Sequence, residues 1–502
     1  MTSRWLPDLA LSLSLVTLVY CLFLFDAPQQ LFRDSDTGWH LRTGERILNT
    51  LALPRTDPYS FMRTGAPWID WEWGADVLMG GAYKWLGLGG VACLFALSIA
   101  AVSWLWVQLN WAAGGNFFFT GLLAAPMLST TNLHWLARPH VFSWIFLLAF
   151  LWFFESAHSR FRWRDFAVIA AGSALWANLH ASFFLLPAIA LLYAAGHLAR
   201  PLIWPLDTRR EHAEARWFGL AAAVSLLASL LNPYGWALHS HLISYLSDWQ
   251  LLDRVAEFQS FNFHVDGAFQ ILLMLGIAAL GGVLALTQKN VAHFLLTALF
   301  LAVALRSARG LPVAALLLLP LANGAITRAL RDARGLRAPM ASAMQSFLAY
   351  SDRLRTLDKG LSGAIWAPVA ALLVLGLFRI PAVAARTGFP PDQFPVRAAQ
   401  SLPSLPSPVR LFAPDKFGGY LIYRFNGAIP VYFDGRSDFY GSGFMKDYIR
   451  MVEVRPGWRE RFEELRFTHA LLPVDYSLAP ALRGIGWRTL YQDDVAILLE
   501  RK

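Results

Sequence analysis

The sequence predicts a polytopic α-helical membrane protein of about eleven transmembrane helices, followed by a small C-terminal α/β domain. Composition, hydropathy and arginine placement carry that reading. Of 502 residues, 56% are hydrophobic and 15% charged, and the mean hydropathy is +0.42. Soluble domains carry roughly 25% charged residues. Apolar runs of spanning length lie near 8–25, 88–108, 117–130, 141–155, 166–178, 182–198, 217–231, 268–286, 291–305, 311–326 and 361–378. The connections with Arg160, Arg162 and Arg164, then Arg200, Arg209, Arg210 and Arg216, then Arg328, Arg331, Arg334 and Arg337 all fall on one side of the membrane. By the positive-inside rule that side is cytoplasmic. The N-terminus is then inside and the tail after Arg379 outside.

The first run follows Met1–Pro7 and ends near Phe25. Asp26-Ala27-Pro28-Gln29 comes next, with no small-x-small cleavage pattern, so the run reads as an uncleaved anchor. The 21 tryptophans suit two aromatic interface belts. A net charge of +9 fits positive-inside loops better than a nucleic-acid partner. Cys21 and Cys93 lie inside apolar spans, so neither reads as half of a structural disulfide or as a zinc ligand.

Residues 1–378 form the predicted transmembrane domain, with a large first outer loop over 26–87. A linker over 379–408 carries Pro390, Pro391, Pro395, Pro403, Pro406 and Pro408, and residues 409–502 form the predicted periplasmic α/β domain. Within it, Val409–Phe412, Tyr420–Arg424, Pro430–Phe433, His469–Pro473 and Val495–Glu500 read as strands. Phe444–Val454 and Trp458–Leu465 read as helices.

Chemistry-bearing residues gather on the outer side. Arg33-Asp34-Ser35-Asp36-Thr37-Gly38-Trp39-His40-Leu41-Arg42 puts two acids, a histidine and two arginines where a helix has just surfaced, a costly placement unless the groups are solvated, paired or functional. Asp34 or Asp36 reads as a general base, and Asp36 and His40 share a helical face at i, i+4. The plainer reading makes Asp36 a helix cap. Further on, Asp70, Trp71 and Glu72 combine acids with aromatic rings, which suits carbohydrate binding or an interfacial helix. Arg138, His140 and His180 sit in short outer turns and suit an anion or a wet cavity. Arg306 and Arg309 share one face just before a Gly/Pro break, and arginine's fork geometry fits a phosphate or diphosphate. In the tail, Asp434-Gly-Arg436 follows an apolar run, either offering charge at its end or forming a structural pair. No Walker loop, dinucleotide fingerprint, His-Glu-x-x-His or Cys-x-x-Cys pattern occurs.

The order of Asp34-Ser-Asp36-Thr-Gly-Trp39-His40-Leu-Arg42-Thr-Gly44, Pro54-Arg55-Thr-Asp57-Pro58, Trp71-Glu72-Trp73, Arg138-Pro139, Asn178-Leu-His180, Asn232-Pro-Tyr-Gly235 and Asp434-Gly-Arg436 resembles a bacterial family of GT-C-like membrane proteins. Its more distant likeness is to oligosaccharyltransferase catalytic subunits and protein mannosyltransferases. The resemblance implies a glycosyltransferase of the bacterial inner membrane and cell envelope, with its tail in the periplasm. The donor would be a polyprenyl-phosphate-linked sugar, and the acceptor a hydroxyl of a glycan, lipid or protein. An acid of the first outer loop would then be the base of an inverting transfer, and Arg306 and Arg309 would hold the lipid phosphate with Arg138, His140 and His180. Asp70, Trp71, Glu72, Asp434 and Arg436 would face acceptor or sugar. So would Tyr420, whose Gly418-Gly419-Tyr420 resembles the acceptor-reading tail motif without its paired tryptophans. The loop Thr130–His140 holds no acid, so no cofactor is expected and a divalent metal is the disfavoured alternative. A glycan-lipid flippase, a polysaccharide polymerase or ligase, and a non-catalytic accessory protein are the competing readings.

Overall fold

The computed structural model describes residues 5–156, 162–405 and 409–502. Met1–Arg4, Arg160, Pro406 and Pro408 of the sequence reading lie outside them. The chain runs through α1 (Leu9–Phe23), α2 (Asp36–Thr50), α3 (Trp73–Ala112), α4 (Phe117–Asn132), α5 (His140–Ser156), α6 (Trp163–Ala177), α7 (Leu185–Ile203) and α8 (Thr208–Ala228). It continues with α9 (Trp236–Ser247), α10 (Trp249–Leu252), α11 (Ala268–Thr287), α12 (Val291–Arg306), α13 (Gly310–Asp332), α14 (Ala338–Asp358), α15 (Trp366–Leu377) and α16 (Pro381–Ala384). The tail adds β1 (Leu411–Phe412), α17 (Asp415–Arg424), α18 (Ser437–Val452), α19 (Trp458–Glu464), β2 (His469–Pro473), α20 (Leu478–Gly484), β3 (Arg488–Gln492) and β4 (Ala496–Glu500).

Among the described residues four helical stretches are long and apolar enough to cross a membrane: Trp73–Ala112, Ala181–Ile203, Ala268–Thr287 and Gly310–Asp332. Shorter apolar helices at Leu9–Phe23, His140–Ser156, Val291–Arg306 and Trp366–Leu377 pack beside them. Small residues set the spacing, as hydrocarbon gives helices no hydrophobic reason to associate. A Cβ on Gly281 of α11 would lie 2.3 Å from Ala322 Cβ of α13, and one on Gly196 of α7 would lie 2.6 Å from the Ala292 backbone nitrogen of α12. A buried amide joins the bundle's far end: Asn323 Nδ2 donates to Asn110 Oδ1 at 2.8 Å and to Thr120 Oγ1 at 3.0 Å.

Helix α3 is longer than hydropathy suggests. It begins at Trp73, well before the apolar run, and kinks where Leu86 and Gly87 leave helical geometry. The N-terminal stretch packs on α2 through glycines, since a Cβ on Gly44 would stand 1.8 Å from the Asp76 carbonyl oxygen.

The tail carries a sheet ordered β1-β2-β4-β3, with β1 parallel to β2 and the other pairs antiparallel. Strand β2 is buried throughout, whereas β3 is mostly exposed. His469–Pro473 and the Val495–Glu500 region form strands as the sequence predicts. Tyr420–Arg424 does not: its apolar run is the second half of α17. Helix α17 is tied to α2, with Arg42 Nε and Nη2 donating to the Tyr423 carbonyl at 2.9 and 2.7 Å. Pro430–Phe433 likewise forms no strand, only an isolated bridge from Val431 to Ser60. Strand β3 and helices α14 and α20 are additions to the sequence reading.

Gly38 and Gly419 let α2 and α17 meet backbone to backbone. A Cβ on Gly419 would lie 2.1 Å from the Ser35 carbonyl oxygen, and one on Gly38 would lie 2.0 Å from that of Gly419. Gly419→Ala is therefore expected to destabilise the protein by about 1–3 kcal/mol, read as a lower melting temperature of the detergent-solubilised chain.

Candidate active site

A cavity of about 770 Å³ opens where α17 and α18 meet one end of the helical bundle. Its walls come from the first connecting segment, the turns before α5 and α7, the 232–266 segment and the turn between α12 and α13.

Arg138 organises the acidic side. Its Nη1 donates to Asp34 Oδ2 and Glu257 Oε1, both at 2.8 Å, and Nη2 lies 2.9 Å from Asp36 Oδ2. Burial alone would lower the guanidinium, but Asp34, Glu257 and Asp36 outweigh it and hold Arg138 well above its ordinary value. Burial would likewise raise Glu257, yet Arg138 and Arg309 hold it far below the usual carboxylate range. Asp36 goes the other way: burial, with Asp34, Glu257 and Asp434 nearby, lifts it against the pull of Arg138. Asp34 Oδ1 accepts the Asp36 backbone N–H at 2.9 Å, so Asp34 caps the start of α2 and fixes Asp36.

The Asp-Gly-Arg turn closes the cavity from the tail side. Gly435 has φ +88°, and a Cβ there would stand 2.4 Å from Asp36 Oδ1, so this glycine makes room for the Asp36 carboxylate. Arg436 turns inward, pairing through Nη2 with Asp57 Oδ1 at 2.7 Å and Asp434 Oδ2 at 2.6 Å. Its guanidinium lies 4.6 Å from the Trp68 ring centre. Arg309 Nη1 approaches the same Glu257, at 3.3 Å from Oε2, while Arg306 has no ion-pair partner among the described residues.

No protein-family model and no curated protein matches the sequence. The structure does match solved ones. The apo oligosaccharyltransferase of Archaeoglobus fulgidus aligns with a TM-score of 0.54 at 11% identity, covering 93% of this chain and 69% of that one. The oligosaccharyltransferase AglB of the same organism, in complex with an inhibitory peptide and a dolichol-phosphate, gives 0.56 at 10% identity over the same shares. The fold is that of these two archaeal structures. ArnT from Cupriavidus metallidurans, bound to undecaprenyl phosphate, aligns with a TM-score of 0.37 at 12% identity over 98% of this chain and 97% of its own.

On this scaffold the cavity gathers Asp34, Asp36, Asp70, Trp71, Glu72, Arg138, His180, Arg306, Arg309 and Arg436. Several assignments need correction. Arg138 is no open phosphate cradle, because its terminal nitrogens are taken by three carboxylates. His140 is not in the cavity wall: its Nε2 sits 2.8 Å from the His134 carbonyl oxygen. Tyr420 packs against Phe389 and Phe394, with ring centres 5.3 and 5.5 Å away, behind the site. Asp434 is fully buried as the partner of Arg436, the structural pair the sequence offered as an alternative. His40 lies behind the cavity wall, with Nδ1 2.6 Å from Asp76 Oδ1. Sequence reasoning missed Glu257, Asp438, Lys416 and Asp76. Glu257 lies in a segment that reads only as a polar, aromatic connection.

Proposed function

We propose that this protein transfers a sugar from a polyprenyl-phosphate-linked donor to an acceptor hydroxyl, with inversion. One observation carries the reading: a single cavity joins the acids around Arg138 to Arg306 and Arg309 along an apolar wall. That wall includes Leu246, Trp249 and Val303, each also substantially exposed, as a prenyl chain entering from the bilayer would need. The GT-C fold, seen in AglB with a dolichol-phosphate, supports the donor class. Asp36 acts as the base: burial lifts its carboxylate, which makes it a stronger proton acceptor, and Arg138 offsets part of that rise. Arg306 and Arg309 hold the departing phosphate, and Asp70 and Trp71 meet the acceptor or sugar. Asp70 is pushed up to about 7, chiefly by burial, which suits hydrogen bonding to hydroxyls in either protonation state. The guanidinium of Arg138 supplies the cation among the acids, so the reading includes no resident metal. The bundle end near Arg200, Arg328 and Arg331 faces the cytoplasm of a bacterial inner membrane, and the cavity and tail face the periplasm.

Release of polyprenyl phosphate from a polyprenyl-phosphate sugar by the full-length protein in lipid vesicles tests this. Acceptor-dependent release is expected, and its absence with every donor of the class would overturn the proposal. Arg306→Ala and Arg309→Ala should each weaken binding of undecaprenyl phosphate about ten- to hundredfold, since a charge-assisted hydrogen bond contributes roughly 1.5–3 kcal/mol.

A further inference from the structure

Glu257 stands between two arginines of the cavity, and each oxygen of its carboxylate faces a different one. It sits on a single helical turn, Ala256–Phe258, in the segment that joins α10 to α11. That turn is clamped to the break between α12 and α13. The Arg309 backbone N–H donates to the Glu257 carbonyl at 3.1 Å, and the Ser307 hydroxyl donates to the same oxygen at 2.9 Å. The Ala308 N–H donates to the Gln259 carbonyl at 2.8 Å. From this fixed backbone Glu257 Oε1 accepts from Arg138 Nη1 at 2.8 Å, and Oε2 lies 3.3 Å from Arg309 Nη1.

The two contacts differ in strength. Arg138 makes a short hydrogen bond, also holds Asp34 and Asp36, and has a side chain only 13% exposed. The Arg309 contact is longer, and 31% of that side chain is exposed. An ion pair so open to solvent is weak, so it is the contact that a ligand in the cavity displaces. A phosphate held by Arg306 and Arg309 brings a second anion to a guanidinium that already faces one, and like charges at that range repel.

We propose that Glu257 is a positioning residue that yields Arg309 to the lipid phosphate of the donor and then turns its charge wholly to Arg138, loosening the hold of Arg138 on Asp36. This rests on the transferase reading above. Before the donor arrives, Glu257 divides its charge between two arginines, and Arg138 draws correspondingly harder on Asp36. Once phosphate oxygens occupy Arg309, Arg138 is met by a full carboxylate, and Asp36 gains proton affinity when a sugar is in place. One side chain thus links donor occupancy to the strength of the base. Burial raises Asp36, and Glu257 is among the acids that add to the rise, which is the sense this link requires. No covalent bond changes in the step.

Equilibrium binding of undecaprenyl phosphate to the full-length protein in lipid nanodiscs tests the competition. Glu257→Gln keeps the shape and an oxygen for Arg138 but removes the charge, so binding should tighten about two- to fivefold, the range of a partly exposed ion pair. Turnover of a polyprenyl-phosphate sugar by the same variant should fall several-fold, because Arg138 then draws on Asp34 and Asp36 alone. Tighter binding with slower turnover is the reverse of what a damaged scaffold gives. In an Arg309→Ala background, Glu257→Gln should tighten binding much less, since the contested guanidinium is gone. Where Glu257→Gln does not fold, Glu257→Ala makes the same measurement with the same sign expected. Binding that weakens or stays unchanged on loss of the charge overturns the proposal. So does turnover at the wild-type rate, or tightening that is undiminished without Arg309. Wild-type protein that binds no undecaprenyl phosphate would instead refute the donor reading.

Discussion

Asp36→Asn is expected to lower sugar transfer by about a hundred- to ten-thousand-fold while leaving the melting temperature nearly unchanged. The amide keeps the shape of the side chain and still fits beside Gly435, where a Cβ would be 2.4 Å from Asp36 Oδ1. Arg138 retains Asp34 and Glu257, so its charge stays compensated. Only proton acceptance is removed. Asp34→Asn makes the informative comparison, because Asp34 holds the Asp36 backbone N–H and one face of Arg138. A loss of about tenfold is expected there, arising through displacement of Asp36. Turnover measured on both purified variants separates the roles. An inactive Asp34→Asn beside a fully active Asp36→Asn would move the base to Asp34, and full activity in both would eliminate an aspartate base. The sign of the pH effect follows from burial raising Asp36: a base must be ionised, so activity is lost as pH falls through its raised value.

The parts of the site that were legible in the sequence are those written locally. Asp34 and Asp36 lie two residues apart at the mouth of α2, and Arg306 and Arg309 flank one helix break, so both pairs announce themselves by spacing. The membrane class is legible for the same reason, because hydropathy is a window property. Glu257 could not be read this way. Its partner Arg138 is 119 residues away, and no local pattern joins residues 34, 138 and 257. Tyr420–Arg424 misled for a related reason: Tyr-Leu-Ile-Tyr has strand-like residues, but the preceding glycines let a helix press against the backbone of α2. Tertiary contact outweighed propensity. The helical start of α3 was hidden too, since Trp73–Leu86 is tethered by glycine contacts to α2 rather than marked by an apolar run.

Arg436 carries the second large effect, and it bears on stability before it bears on chemistry. Its guanidinium is the cation for Asp434 and Asp57, with all three side chains almost wholly buried. Burial would lower Arg436, but Asp434 and Asp57 outweigh it and hold the group well above its ordinary value. Arg436→Met removes the charge while keeping much of the volume, leaving two buried carboxylates without their cation. Removing one side of a buried pair typically costs about 3–5 kcal/mol, so a marked drop in melting temperature is expected. If the loss comes from uncompensated charge, adding Asp434→Asn and Asp57→Asn in the Arg436→Met background should recover part of it. If it comes from lost packing against Trp68, the added amides should recover nothing. Asp57 belongs to the first connecting segment and Asp434 to the tail, so the pair also fixes Gly435 against Asp36. The recovered triple variant should therefore fold yet transfer sugar more slowly than wild type, because restored stability does not restore the turn that positions the base.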